Sequence, residues 1–211
     1  MKVKTQKLLS ESKTARWIAL ALISLTMFFA YFFVDVAAPL QNLLERNHGW
    51  SPETFGMLGG SEFFLNVFAF FLILSGIILD KMGIRFTIIT SGLAMLIGGA
   101  IKYYALTESF AASGLATFLE SFWTSVPASA KLAFFGFAIF GVGVEMAGIT
   151  VSKTIVKWFK GKELALAMGL EMATARLGVF AVFRLSPIFA EKGGAVNSVA
   201  WGVAFLTVGL L

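Results

Sequence analysis

Apolar residues gather into six long runs along the 211-residue chain, at about residues 17–40, 54–79, 86–106, 132–156, 164–189 and 199–211. An α-helix rises about 1.5 Å per residue and a hydrocarbon core is about 30 Å thick, so about 20 consecutive apolar residues cross it. The first five runs reach that length, and the sixth covers about 20 Å before Leu211. The pattern predicts an all-α membrane protein. Between the runs sit short segments with start and stop signals, such as Ser51-Pro52-Glu53, where serine caps a helix and proline takes its first position. The first sixteen residues hold Lys2, Lys4, Lys7, Lys13 and Arg16 without an apolar run. They read as a basic cytoplasmic leader, because the run that follows is too long for a cleavable signal. In the segment 107–131, Leu115, Phe118, Leu119, Phe122 and Trp123 recur at helical spacing, which predicts an amphipathic helix lying on the outer surface.

Composition agrees with this pattern. Hydrophobic residues make up 58% of the chain and charged ones 14%, against roughly 25% charged in soluble domains. The absence of cysteine removes disulfides and thiolate metal sites, and a lone histidine, His48, cannot form a histidine metal cluster. No cofactor, metal or enzymatic chemistry is indicated. A net charge of +5 would permit a nucleic-acid partner, but its distribution is that of membrane topology. With the N-terminus inside, eleven of the seventeen basic residues fall on the inner side. Arg46, Lys102, Lys131 and Lys192 fall outside, and Lys102 with Tyr103 and Tyr104 marks an outer interface where long cations snorkel.

Charges inside the runs matter most, since each costs roughly 2.5 to 3.5 kcal/mol on insertion scales and marks a functional position by default. Glu145 lies about 21 Å into the fourth run and Arg176 about 21 Å into the fifth, both counted from the lysine that precedes the run. Trp158 to Glu163 join those two helices, so the helices are antiparallel neighbours and the two charges can face one cavity. Glu62 and Asn66, four residues apart, share one face of helix two. Asp35 falls near the outer end of helix one, as an interfacial residue. Glu171 is turned about 140° from Arg176, toward an inner vestibule or a helix contact. Arg184 reaches the outer interface, and Pro187 ends or kinks its helix.

Two motifs carry a family resemblance. The stretch Gly76-Ile-Ile-Leu-Asp80-Lys81-Met-Gly83-Ile-Arg85 resembles the signature between helices two and three of major facilitator superfamily transporters. Here Gly76 would allow close helix approach, Gly83 a tight reversal, and Asp80 a hold on Arg85 or on a helix N-terminus, which together form a breakable cytoplasmic latch. The run WFKGKELALAMGLEMATARLG, preceded by FGVGVE, resembles helices four and five of the dipeptide-transporting branch of that superfamily. The resemblance implies that Glu145 and Arg176 contact the ammonium and carboxylate ends of a dipeptide. One departure stands out: Phe137 occupies the place of an arginine that opens a helix-four motif in many members, so the resemblance does not extend to that motif's proton relay.

The resulting reading is the N-terminal six-helix half of a major facilitator transporter, with its sixth helix cut short and a C-terminal six-helix half as its missing partner. It would lie in the lipid bilayer of a cell membrane and move short peptides or similar zwitterions by alternating access. Glu145, Arg176, Glu62 and Asn66 are its candidate solute contacts. Two alternatives fit the same residues. One keeps the fold and carries another solute, such as an organic anion drawn by Arg176. The other is a membrane scaffold or receptor in which Glu145 and Arg176 form a structural salt bridge.

Overall fold

The computed structural model describes residues 12–210. Most of the basic leader, residues 1–11, and Leu211 lie outside the described residues. The described chain is helical throughout. Helix α1 (Lys13–Val34) starts four residues before the expected Trp17, because Ser12 caps it by accepting from the Ala15 N–H. A 3₁₀ turn (Ala38–Leu40) and a short helix α2 (Gln41–His48) carry the helical path on to Gly49, which is left-handed at φ +68°. Helix α3 (Pro52–Phe68) starts on the predicted Ser51 cap, whose hydroxyl accepts from the Thr54 N–H.

The second apolar run is not one helix. It breaks at Ala69 and Phe70, where Phe70 is left-handed (φ +55°), and resumes as α4 (Phe71–Tyr104), itself interrupted at Gly83 (φ +84°, ψ 170°). That backbone conformation is closed to residues with a Cβ, which explains the glycine of the motif. Helices α5 (Glu108–Ala111) and α6 (Gly114–Glu120) replace the single amphipathic helix expected on the outer surface. They are tied down by Lys131, which donates to the carbonyls of Leu119 and Phe122. Helix α7 (Ala128–Phe159), α8 (Leu164–Ala190) and α9 (Gly194–Leu210) complete the chain. Pro187 sits inside α8 without ending it. Helix α9 begins five residues before the expected Val199.

Four of the described helical segments are long and apolar enough to cross a membrane: Lys13–His48, Phe71–Tyr104, Ala128–Phe159 and Leu164–Ala190. The chain is thus an integral, multi-pass membrane protein. Helix α7 is the central element, packed on α4 along one side and α3 on another, while α1 packs on α8 and α9. Close contact between backbones explains the glycines. A Cβ at Gly136 would run into Ile101 and the Gly98 carbonyl at 2.8 Å, and one at Gly143 into the Ser91 carbonyl at 2.7 Å. Such small-residue crossings replace the hydrophobic drive that lipid removes. Gly76 differs from expectation: a Cβ there meets nothing within 4 Å, so it makes no close helix contact in this chain.

Candidate functional site

Two glycine contacts set the site. Gly141 on α7 lies against the main-chain carbonyl of Glu62 on α3 so closely that a Cβ would overlap it. Glu145 stands one helical turn beyond Gly141 on the same face, so this contact brings Glu62 and Glu145 to the same opening. Gly178 on α8 lies equally close to the Phe28 carbonyl on α1, which places Arg176 beside Tyr31. The Arg176 guanidinium carbon lies 5.6 Å from the centre of the Tyr31 ring, within cation–π range.

These elements enclose a cavity of about 300 Å³ lined by Tyr31, Asp35, Glu62, Phe63, Glu145 and Arg176, among others. The structure therefore gathers Glu62, Glu145 and Arg176 at one space. Asn66, expected beside them, is buried but does not line it. Its side-chain N–H group approaches the Glu62 carbonyl at 3.5 Å, and its Oδ1 has no hydrogen-bond partner. Among the described residues no ion pair within 4.0 Å joins Glu145 to Arg176. Both residues line the cavity without pairing to each other.

An adjoining cavity of about 200 Å³ shares Tyr31, Gly148 and Arg176 with the first and adds Glu171, Met168 and Met172. Glu171, expected to face away from Arg176, lines this space together with it. A third space of about 80 Å³ shares Val34, Asp35 and Glu62 with the main cavity and is also lined by Lys102, Phe137 and Phe55. A larger cavity of about 470 Å³ at the end carrying α5 and α6 is lined by none of these charges.

Asp35 lies at the end of helix one as expected, as the C-cap of α1, and it also lines the cavity. Lys102 departs from its expected interfacial position. Lys102 is buried to 1% exposure, with its ammonium 3.8 Å from the Phe137 ring centre and 5.3 Å from that of Phe33. It does not snorkel. The sequence offered a signal, a charge within an apolar run, but run length alone could not place it in depth.

The latch residues lie at the opposite end of the bundle. Asp80 pairs with Lys153 of α7, Oδ1 to Nζ at 2.6 Å, and not with Arg85 or a helix N-terminus. Arg85 and Lys81 are exposed. At the same end Glu163, left-handed at φ +53°, lies 3.8 Å from both Lys13 and Arg16. These pairs join the starts of α1 and α8 and the middle of α4 to α7.

The bundle gathers opposed charges around an internal cavity, and residues 20–211 match the family model of the Major Facilitator Superfamily. The chain belongs to that superfamily of transporters. Among curated relatives it is 34% identical over 152 residues to the Danio rerio "Lysosomal dipeptide transporter MFSD1", covering 72% of this chain and 28% of that protein. It is 30% identical over 164 residues to the Mus musculus and Homo sapiens proteins of the same name, covering 77% of this chain and 31% of each. The chain spans less than a third of the length of these relatives. No solved structure matches it.

Proposed function

We propose that this chain forms one wall of the solute cavity of an alternating-access transporter for short peptides or similar zwitterions. Glu145 holds the ammonium end and Arg176 the carboxylate end. The observation that carries this reading is the shared cavity of about 300 Å³, which the two opposite charges line without pairing. Its size lies at the lower end of the range for small-molecule sites, about 300 to 1,000 Å³. The relatives' printed name, a dipeptide transporter, supports the same solute class. An organic anion is favoured less, because Asp35, Glu62 and Glu145 line the cavity against one guanidinium. A scaffold in which the pair serves only as a strut is also favoured less, since a strut would pair directly.

The distribution of basic residues supports a cytoplasmic N-terminus, with Asp80, Lys153 and Glu163 on the inner face. The relatives are named lysosomal, and this orientation is compatible with a lysosomal or a cell-surface membrane. The test is equilibrium binding of dialanine to a full-length protein containing this chain. Glu145→Gln and Arg176→Gln should each weaken binding about 10- to 100-fold, the loss of one charge-assisted contact, with thermal stability unchanged. Unaltered affinity in both would overturn the assignment.

A further inference from the structure

The space of about 80 Å³ behind the solute cavity holds three ionisable groups from three elements: Asp35 at the end of α1, Glu62 on α3 and Lys102 on α4. Lys102 is almost wholly buried, and its Nζ has no hydrogen-bond partner although it lies over two aromatic rings. Among the described residues neither carboxyl lies within 4.0 Å of it. An ammonium left unpaired in such surroundings costs several kcal/mol. The space is also large enough for about two water molecules, at about 30 Å³ each. No further charged side chain lines this small space, while across the larger cavity Asp35 and Glu62 face Arg176 and Glu145, whose opposite charges leave the net count unchanged. Helix α7 presents Phe137 and keeps Glu145 in the larger cavity, α9 has no ionisable side chain, and Arg176 of α8 lines only the larger cavities.

Two carboxyl groups and one ammonium, all ionised, leave one uncompensated negative charge in a narrow, largely apolar space. One proton removes it. We propose that Asp35, Glu62 and Lys102 form a proton-holding site that shares a single proton at rest and is linked to the solute cavity through Glu62 and Asp35. The link is geometric, since both carboxyl residues line both spaces. When a solute ammonium enters the larger cavity, it favours the ionised carboxylate. The carboxylic O–H bond then breaks, its electron pair stays on the carboxylate, and the proton leaves through cavity water to bulk. Solute binding therefore releases up to one proton, and affinity rises with pH over the range in which the site is protonated. The solute-linked half of the proposal rests on the dipeptide reading above, whereas the proton site itself does not.

The experiment is infrared spectroscopy of the full-length protein containing this chain, reading the carboxylic-acid C=O stretch across a pH titration. A band present at neutral pH in the wild type should disappear in both Asp35→Asn and Glu62→Gln, because either change leaves one carboxylate matched to one ammonium. In Lys102→Met it should persist to higher pH, because the compensating cation is gone. A packing role for Lys102 would not move the band in that direction. The band must be lost in each carboxyl variant that folds, so a variant that fails to fold leaves the other decisive. Absence of the band in the wild type, or its survival in either folded carboxyl variant, would overturn the proposal. Adding dialanine should reduce the wild-type band. A band that is present and obeys the three variants but ignores dialanine would leave the proton site standing and overturn its link to the solute, while the dipeptide reading itself is decided by dialanine affinity.

Discussion

At the scale of single residues the site is built from unpaired charge. Arg176 rests beside Tyr31 and, among the described residues, has no carboxylate within salt-bridge distance. Cation–π contact is worth about 0.5 to 2 kcal/mol depending on exposure. Tyr31→Ala should therefore weaken dipeptide binding about 3- to 30-fold, while Tyr31→Phe, which keeps the ring, should leave it within about twofold. Binding titrations of the two variants check this, and an equal loss in both would assign the effect to the hydroxyl instead. Glu145, Arg176 and Glu62 were legible in the sequence because charge in a long apolar run is conspicuous and helix rise gives its depth. Lys102 was misplaced for a physical reason. It was read beside Tyr103 and Tyr104 as an interfacial cation, but it is 1% exposed and lies over Phe137 and Phe33. The cap formed by α5, α6 and Lys131 lies beyond the Lys102 end of α4.

Among the elements, the break at Ala69 and Phe70 and the interruption at Gly83 divide the expected second and third helices into three pieces. The break was not legible, because Asn-Val-Phe-Ala-Phe-Phe contains no proline or glycine. The Gly83 interruption was, since a glycine amid charges marks a turn. The partner of Asp80 was not legible either. Lys153 is 73 residues away in sequence, and only the packing of α4 on α7 brings the two together. An exposed pair of this kind contributes at most about 1 kcal/mol to stability, so its effect should appear in the balance between conformations. Asp80→Asn or Lys153→Gln should change the turnover of a full-length transporter severalfold, with dipeptide affinity altered much less. Exchanging the two charges should restore turnover. Transport rates in liposomes decide this, and a charge exchange no better than either single variant would contradict a latch made by this pair.

For the whole molecule, the helical class was legible from run length and composition and the superfamily from two motifs; the described chain is helical, and the family model matches residues 20–211. What had to be seen was convergence: the contacts at Gly141 and Gly178 bring charges from α3, α7 and α8 to one cavity beside Tyr31 and Asp35 of the first helical path. The central claim is that Glu145 and Arg176 read opposite ends of one solute, and end-blocked dipeptides test it most directly. In a full-length protein containing this chain, affinities for dialanine, N-acetyl-dialanine and dialanine amide are measured in the wild type, Glu145→Gln and Arg176→Gln. The account predicts that acetylation weakens wild-type binding about 10-fold or more but adds little in Glu145→Gln, and that amidation does the same with respect to Arg176→Gln. Equal penalties for each blocked end in all three proteins would contradict it.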